Sequence, residues 1–486
     1  MKLKRLITLV ILVALSVSCF SGCFRKEQTT QTKPAARIEL VFYNLFDNED
    51  VFAPLIQQYS AKHPNVVVTY RKFTDPVEYE NLIVNELAEG GGPDIFAAPN
   101  FWFLRNLKKI TPLPVQTFSP QQFDQTFVSV ASDNLELTDP ADGLKKVYGI
   151  PLYVDTLALY YNKSTYEDRI PSRGRPAATW DTLKDDVFQL TKPDNSFERF
   201  SVAGIAMGRS DNISRAVDIL YLLMLQFKTR IYNDNISQTA FANQQIPSAT
   251  GLLIVPAVEA LQLYTSYALP TNKNYSWNEY LASAASPVKE METFARGKVA
   301  MIFGYSYLYN QILAEIKDLK DKGVKTIDPN DVRINAVPQV NDPATSTEKR
   351  VAYSNYYADT VSRTSQHPAE AWDFLLFISS KDNLQYYNSK THYPSSRRDL
   401  LDDQKKDPIY GVFAEQTGYA DSFPIYDYQH YQDIFSKAID SVLATISPDV
   451  AIKTAADSIN ALLPEQGLLP AVTSKTTAGS TQQVKK

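Results

Sequence analysis

Residues 86–100 read ELAEGGGPDIFAAPN, with three of the chain's 17 glycines together at Gly90, Gly91 and Gly92. A glycine run beside an apolar stretch is either a phosphate cradle or a bend between two elements, and the order of the flanking elements decides between them. Upstream, DPVEYENLIVNELAEG (75–90) carries apolar residues at helical spacing, with Asp75 as N-cap and Pro76 at the first helical position. Downstream, DIFAAP (94–99) is a short apolar strand. A nucleotide fold runs strand, glycine loop, helix, so that the helix N-terminus faces the phosphate. Here the order is helix, glycines, Pro93, strand, and neither GxGxxG nor GxxxxGK[ST] fits. Glycine followed by proline just past a helix is a stop signal, so the run is a turn.

Working outward, RIELVFYN (37–44) and NVVVTYRKF (65–73) read as strands around a helix, 48–62, that His63-Pro64 ends. Strand, helix, strand, helix, strand predicts an α/β lobe with parallel pairing. Further helices are expected at 257–269, 285–296, 305–320, 367–379 and 430–445, and strands near 148–161, 298–304, 332–338 and 350–361. Ligands of open α/β sheets bind beyond the carboxyl ends of strands, which selects Asn44 to Asp50 and Asn100 to Trp102.

At 486 residues the chain is too long for one core, so two lobes are expected, and 44% hydrophobic residues exclude disorder for the bulk. The balance of 49 basic and 54 acidic residues gives −5, without the basic footprint that nucleic-acid binding needs. Aromatics are abundant, with 29 Tyr, 24 Phe and 4 Trp, which suits surfaces that are apolar and hydrogen-bonding at once. His63, His367, His392 and His430 share no metal-ligand spacing, and HExxH and GxSxG are absent. No cofactor, metal or catalytic residue is therefore expected.

The start of the chain gives the compartment. Lys2, Lys4 and Arg5 precede the apolar run LITLVILVALSV (6–17), too short for a comfortable membrane anchor. Phe20-Ser21-Gly22-Cys23 resembles the lipobox of bacterial lipoproteins, although Phe20 stands where the motif usually has Leu. Cys19 is a second candidate, and an ordinary cleaved signal peptide is the plain alternative. The resemblance implies export, lipid on Cys23, and a place on the outer face of the cell membrane or facing the periplasm. Both cysteines of the chain lie in this segment, so no disulfide is expected after cleavage. Residues 24–36 read as a tether and 473–486 as a disordered tail.

Eight short signatures fall in order along the chain. They are FYNLFDNEDVFAPLIQQYSAKHPNVVVTY, LAEGGGPDIFAAPN, YGIPLYVDTLALYYNKSTYED, ATWDTLKDDVFQLTK, METFARGKVAMIFGYSY, INAVPQV, PAEAWDFLLFIS and YPSSRRDL. Together, over roughly 37 to 465, they resemble extracellular solute-binding protein family 1 of ABC importers, the group that includes the maltodextrin-binding protein. The resemblance implies a type II periplasmic-binding-protein fold: two α/β lobes, a multi-segment hinge and a ligand cleft between them. It implies crossings at Pro151–Thr156, Val337–Val340 and near Tyr393-Pro394. The lobes are then 37–153 plus 339–392, and 154–338 plus 393–472, after a signal peptide at 1–22 and a lipidated tether at 23–36.

A sugar offers paired hydroxyls and flat C–H faces, so its site needs paired polar groups and aromatic planes. Asn44 and Asp47 follow the first strand, where Asn48 or Asp50 is alternatively only a helix cap. Asn100 and Trp102 follow the third strand, where the family supplies a polar and an aromatic ligand; Trp102 in FWFL is otherwise packing. Asp155 stands where maltodextrin-binding relatives carry an acidic ligand, and a strand turns Tyr153 to the same face. In the second lobe Arg209 and Asn212 end GIAMGRSDN, unless they are an exposed arginine and a cap. Tyr305 and Tyr307 lie in GYSY, and Asn355 and Tyr356 in YSNYYADT. Trp180 and Trp372 read as core, while Trp277 is open.

The resemblance implies a monomeric solute-binding lipoprotein that captures a sugar or oligosaccharide by lobe closure and delivers it to a permease, with no reaction. Two alternatives stand beside it. One is an exported glycan-active hydrolase, which needs two facing carboxylates. The other is a ligand-sensing lipoprotein that feeds a receptor.

Overall fold

In the computed structural model, residues 36–194, 200–248, 250–465 and 467–468 are described, and Glu39–Lys486 groups as one unit. The expected signal peptide, Cys23, residues 24–35 of the expected tether and the expected tail at 473–486 lie outside the described residues.

The first sheet begins with β1 (Ile38–Leu45), α1 (Glu49–Lys62), β2 (Val66–Phe73), α2 (Pro76–Ala88) and β3 (Ile95–Pro99). Asp75 caps α2, accepting from the Val77 and Glu78 amides at 2.8 and 2.9 Å. The glycines turn the chain as expected: Gly90 and Gly92 have φ of 79° and 95°, and the Gly91 N–H donates back to the Glu86 carbonyl. β1 and β3 pair in parallel, Phe42 opposite Ile95.

The expected single strand at 148–161 is two strands, β4 (Ile150–Pro151) and β5 (Ala158–Asn162), which belong to different sheets. Two helices absent from the expected set follow, α3 (Trp180–Leu190) and α4 (Ala216–Gln226). The α4 sequence AVDILYLLMLQ is apolar all round because the helix is buried all round, so it shows no amphipathic period. Then come α5 (Pro256–Thr265), β6 (Met301–Gly304), α6 (Leu308–Asp321), β7 (Val332–Asn335), β8 (Ala352–Tyr353) and β9 (Tyr357–Val361). The chain continues with α7 (Pro368–Ile378), α8 (Lys381–Thr391), α9 (Gly411–Thr417), β10 (Ala420–Asp421), α10 (Tyr428–Leu443) and α11 (Pro448–Asn460).

The strands form a first sheet in the order β2-β1-β3-β9-β4 and a second in the order β6-β5-β7. Not all pairing in the first is parallel: β9 runs antiparallel to both β3 and β4, because it enters from the other lobe. Phe42 on β1 meets Phe52 of α1 and Phe374 of α7, so these helices cover one face. The second lobe packs α4, α5, α10 and α11 around buried Leu220, Leu222, Leu261 and Ile439.

Between β4 and β5 the chain crosses from one sheet to the other. Tyr153 bridges Ser395 and Thr156 bridges Ser354, so the three crossing segments lie side by side. Val337–Val340, expected to cross, stays with the second lobe. The buried Gln416 side chain accepts from the Val337 N–H at 2.8 Å, Gln226 donates to the Pro338 carbonyl at 2.9 Å, and Gln339 bridges Thr179. The passage is made later, by Ser354–Tyr356, between β8 and β9.

The turn yields a test. A Cβ at Gly90 meets open space but requires a left-handed backbone, and at Gly92 it also comes within 3.2 Å of the Glu86 Cβ. Gly90→Ala and Gly92→Ala should each cost about 1 kcal/mol or more in urea unfolding. Gly91→Ala, free of positive φ, should stay within roughly 0.5 kcal/mol; equal losses at all three positions would refute the turn geometry.

Candidate functional site

A cavity of about 540 Å³ lies where the two lobes and the crossings meet. Phe46, Glu80, Phe101, Trp102 and Tyr357 line it from the first lobe, and Arg215, Tyr305, Tyr307, Gln311 and Tyr428 from the second. Tyr153, Asp155, Asn355 and Tyr393 come from the crossings. Eleven lining residues are aromatic, contributed by both lobes and the crossings.

Asp155 is almost wholly buried. Its carboxylate accepts from the Thr156 N–H at 2.9 Å, the Ser306 N–H at 3.0 Å and the Ser306 hydroxyl at 2.7 Å. Burial pushes its carboxyl up from 3.8 to about 7, against those donors and the charge of Arg215. Ser306 sits between the two lining tyrosines, so the bond that holds the crossing also places Tyr305 and Tyr307.

Arg215 precedes α4 and is 36% exposed through its side chain. It donates to the Tyr307 hydroxyl, lies 3.8 Å from the Asp218 carboxylate, and sits 5.4 and 5.8 Å from the ring centres of Tyr305 and Tyr307. Burial works against its charge, yet Tyr307, Asp218 and Tyr305 outweigh it and hold the guanidinium above its ordinary pKa. Asp218, itself pushed up by burial against Arg215, accepts from the hydroxyls of Tyr305 at 2.9 Å and Tyr428 at 3.4 Å. One buried carboxylate thus orients an arginine and two tyrosines of the wall.

Other polar groups in the wall lack such partners. Tyr153 and Tyr393 stack with ring centres 4.3 Å apart. Their hydroxyls, the Tyr357 hydroxyl and the side-chain amides of Asn355, Gln311 and Gln429 have no hydrogen-bond partner among the described residues. Burial raises all three phenols above their ordinary value, so they remain donors. The cavity can therefore cover apolar faces while satisfying several hydroxyls.

Of the residues singled out from sequence, Trp102, Tyr153, Asp155, Tyr305, Tyr307 and Asn355 line this cavity together. The other six do not. Asn44 donates to Asp359 at 3.1 Å and Asp47 accepts from the Tyr387 hydroxyl at 2.7 Å, both inside the first lobe. In that loop it is Phe46, with φ of 71°, that reaches the cavity. Asn48 does stand at the α1 N-cap, but its side chain accepts from Lys72 rather than capping.

Asn100 donates to Asn134 at 3.1 Å, and Tyr356 donates to the same oxygen at 3.0 Å. Arg209 is held by Asp211, two residues on, and by Glu279. Asn212 is fully buried and accepts from the Trp277 indole at 2.9 Å, which makes Trp277 core along with Trp180 and Trp372.

Sequence reasoning missed Arg215, Tyr357 and Tyr393. Arg215 and Asp218 were visible as charges three apart at the head of an apolar run. Strand alternation separates Tyr357 from Tyr356, because neighbours on a strand face opposite ways. Tyr393 stood in the signature at an expected crossing.

Among the described residues no cluster of His, Cys, Asp and Glu could hold a metal ion, and no helix is long and apolar enough to cross a membrane.

Two α/β lobes, adjoining crossings and a cavity between the lobes define a binding protein of the type II periplasmic class, a fold that grips its ligand between the lobes. The chain belongs to the bacterial extracellular solute-binding protein family, whose profile matches residues 47–385. It is similar to a binding protein of Brucella abortus strain 2308, 23% identical over 417 residues, covering 85% of this chain and 89% of that one. A binding protein of Brucella suis biovar 1 matches with the same figures. Among solved structures it resembles the sugar-binding protein MalE from Xanthomonas citri, with a TM-score of 0.67 and 16% identity over 87% of this chain and 97% of that one. It also resembles a cyclo/maltodextrin-binding protein complexed with maltotetraose, with a TM-score of 0.64 and 18% identity over 88% and 98%. These likenesses show the fold.

Asp155 gives a pH test. Its folded carboxyl keeps a proton up to about pH 7 and its unfolded one only near the ordinary 3.8, so the folded state binds the extra proton between those values. The associated stability is complete below the lower value and lost as pH rises through the upper one. Asp47, raised to about 6 by burial against Tyr387 and Lys72, contributes with the same sign. Asp155→Asn should shrink the fall in melting temperature between about pH 5 and about pH 8, whatever its offset, leaving the share of Asp47. An unchanged slope would contradict the assignment.

Proposed function

We propose that the protein captures a sugar or oligosaccharide between its lobes and passes it to the permease of an ABC importer. It acts as a single copy, held at the outer membrane surface by lipid on Cys23, and does no chemistry on its solute. The observation that carries this reading is the wall itself: aromatic residues from both lobes and the crossings, interspersed with hydroxyls and amides that have no hydrogen-bond partner among the described residues. A carbohydrate is apolar on its C–H faces and hydroxylated at its rim, and such a wall complements both. The structural relatives named above are a sugar-binding protein and a maltodextrin-binding protein, which agrees with it.

The hydrolase alternative gains nothing from the cavity. Its lining carboxylates are Glu80 and Asp155, and Asp155 is occupied by Ser306 and Thr156. Lipid anchoring is supported by the apolar run 6–17 and Phe20-Ser21-Gly22-Cys23. More than one acyl chain suffices for stable attachment without a spanning helix.

Thermal shift of the mature chain against neutral oligosaccharides, polyols, amino acids and polyamines tests the solute class. A solute at about a hundred times its dissociation constant adds roughly 2.7 kcal/mol of stability. Stabilisation by another class alone would refute the carbohydrate reading. Tyr357→Phe and Tyr393→Phe should weaken the carbohydrate that binds by roughly three- to tenfold each, without lowering the melting temperature of the free protein. Cys23→Ser should move the expressed protein from the membrane fraction to the released fraction; continued sedimentation with membranes would remove the anchor.

A further inference from the structure

The lobes also touch each other directly beside the cavity. From the segment after β3, Phe101 stacks on Tyr428 at the start of α10, with ring centres 4.1 Å apart and planes 6° from parallel. Four residues on, Arg105 donates to the Oδ2 of Asp427 at 2.5 Å, and its guanidinium carbon lies 5.2 Å from the centre of the Tyr426 ring. Phe101 and Leu104 pack against the hydrophobic core of the second lobe. Phe101 and Tyr428 line the cavity, whereas Arg105 and Asp427 do not.

Asp427 divides its two oxygens. Oδ1 serves its own helix, accepting from the His430 N–H at 3.3 Å and lying 2.9 Å from His430 Nδ1. Oδ2 is left for the opposite lobe. The Asp427 side chain is 15% exposed and that of Arg105 is 49%, so one partner is largely sheltered and the pair is only partly screened.

We propose that Arg105 and Asp427 are a positioning pair for solute capture: they draw the lobes together before any solute arrives and set affinity without touching it. A solute selects the closed form through contacts to both lobes, and an interlobe contact within the protein acts on the same equilibrium. Apparent affinity scales with the fraction already closed, so residues outside the cavity control it. Glu80, which lines the cavity, feels Asp427 and Arg105 with opposite signs, and Lys109 feels Arg105. Two variants are therefore needed to separate the routes.

The mature protein, carrying one dye on the outer face of each lobe, is measured by single-molecule energy transfer with no solute present. This readout depends on the two-lobe fold and not on the solute being a sugar. Wild type should show a short-distance population. Asp427→Asn keeps a cap oxygen for α10 and leaves Arg105 beside Glu80; it should lower the closed-to-open ratio by roughly two- to fivefold. Arg105→Gln should do the same, Arg105→Lys should restore part of the loss, and added salt should lower the ratio in wild type but not in Asp427→Asn. A wild type that stays open, or variants that match it, overturns the proposal. So does an effect confined to Arg105→Gln, since that effect would run through Glu80.

Discussion

The architecture depends on how the buried Asp155 carboxylate is fastened. The chain leaves the first sheet at Pro151 and joins the second at Ala158, so the few residues between them belong to both lobes. Such a segment cannot satisfy its polar groups within one sheet, and an unpaired group buried there costs on the order of 1–3 kcal/mol. Asp155 resolves this by accepting the N–H and hydroxyl of Ser306, which follows the second-lobe strand β6. The Asp155 backbone carbonyl also accepts from the Asn355 N–H on the neighbouring crossing. One aspartate thereby joins two crossings and the edge of the second lobe, and the three lining residues that flank these bonds, Tyr305, Tyr307 and Asn355, have their positions set by it.

A second buried carboxyl organises the second-lobe side of the same wall. Asp218 sits inside an otherwise apolar helix, where an isolated carboxylate would be strongly unfavourable. It is tolerated because Arg215, Tyr305, Tyr428 and Gln432 all turn toward it. Removing one partner of such a set leaves the buried carboxyl under-compensated, so the energetic roles of these side chains are coupled.

How much of this was legible in the sequence follows from which interactions are local. The turn at Gly90–Gly92, the cap at Asp75 and the first three strands all rest on residues within a few positions of each other, and the structure places them as read to within a residue. The second crossing was misplaced because Gln226 and Gln416, far away in sequence, hold Val337–Val340 in the second lobe. Arg209 was singled out and Arg215 missed for a related reason. Both are arginines near a helix start, but Asp211 captures the first within two residues, whereas the second is aimed by Asp218 and Tyr307. The α4 helix itself left no period to read, since every face of it is buried.

The tyrosines show why composition alone could suggest a binding surface without locating it. Seven line the cavity, yet the fate of each hydroxyl divides them. Tyr79 donates to the Ala97 carbonyl at 2.8 Å and so fastens α2 to the strand β3. Tyr305 and Tyr428 spend theirs on Asp218, and Tyr307 receives Arg215, so these orient a charge. The hydroxyls of Tyr153, Tyr357 and Tyr393 have no hydrogen-bond partner among the described residues. A phenol at these last positions adds nothing to the folded chain that phenylalanine would not, since an unpartnered hydroxyl is neutral to unfavourable for stability. Among the described residues, nothing in the fold accounts for these three hydroxyls.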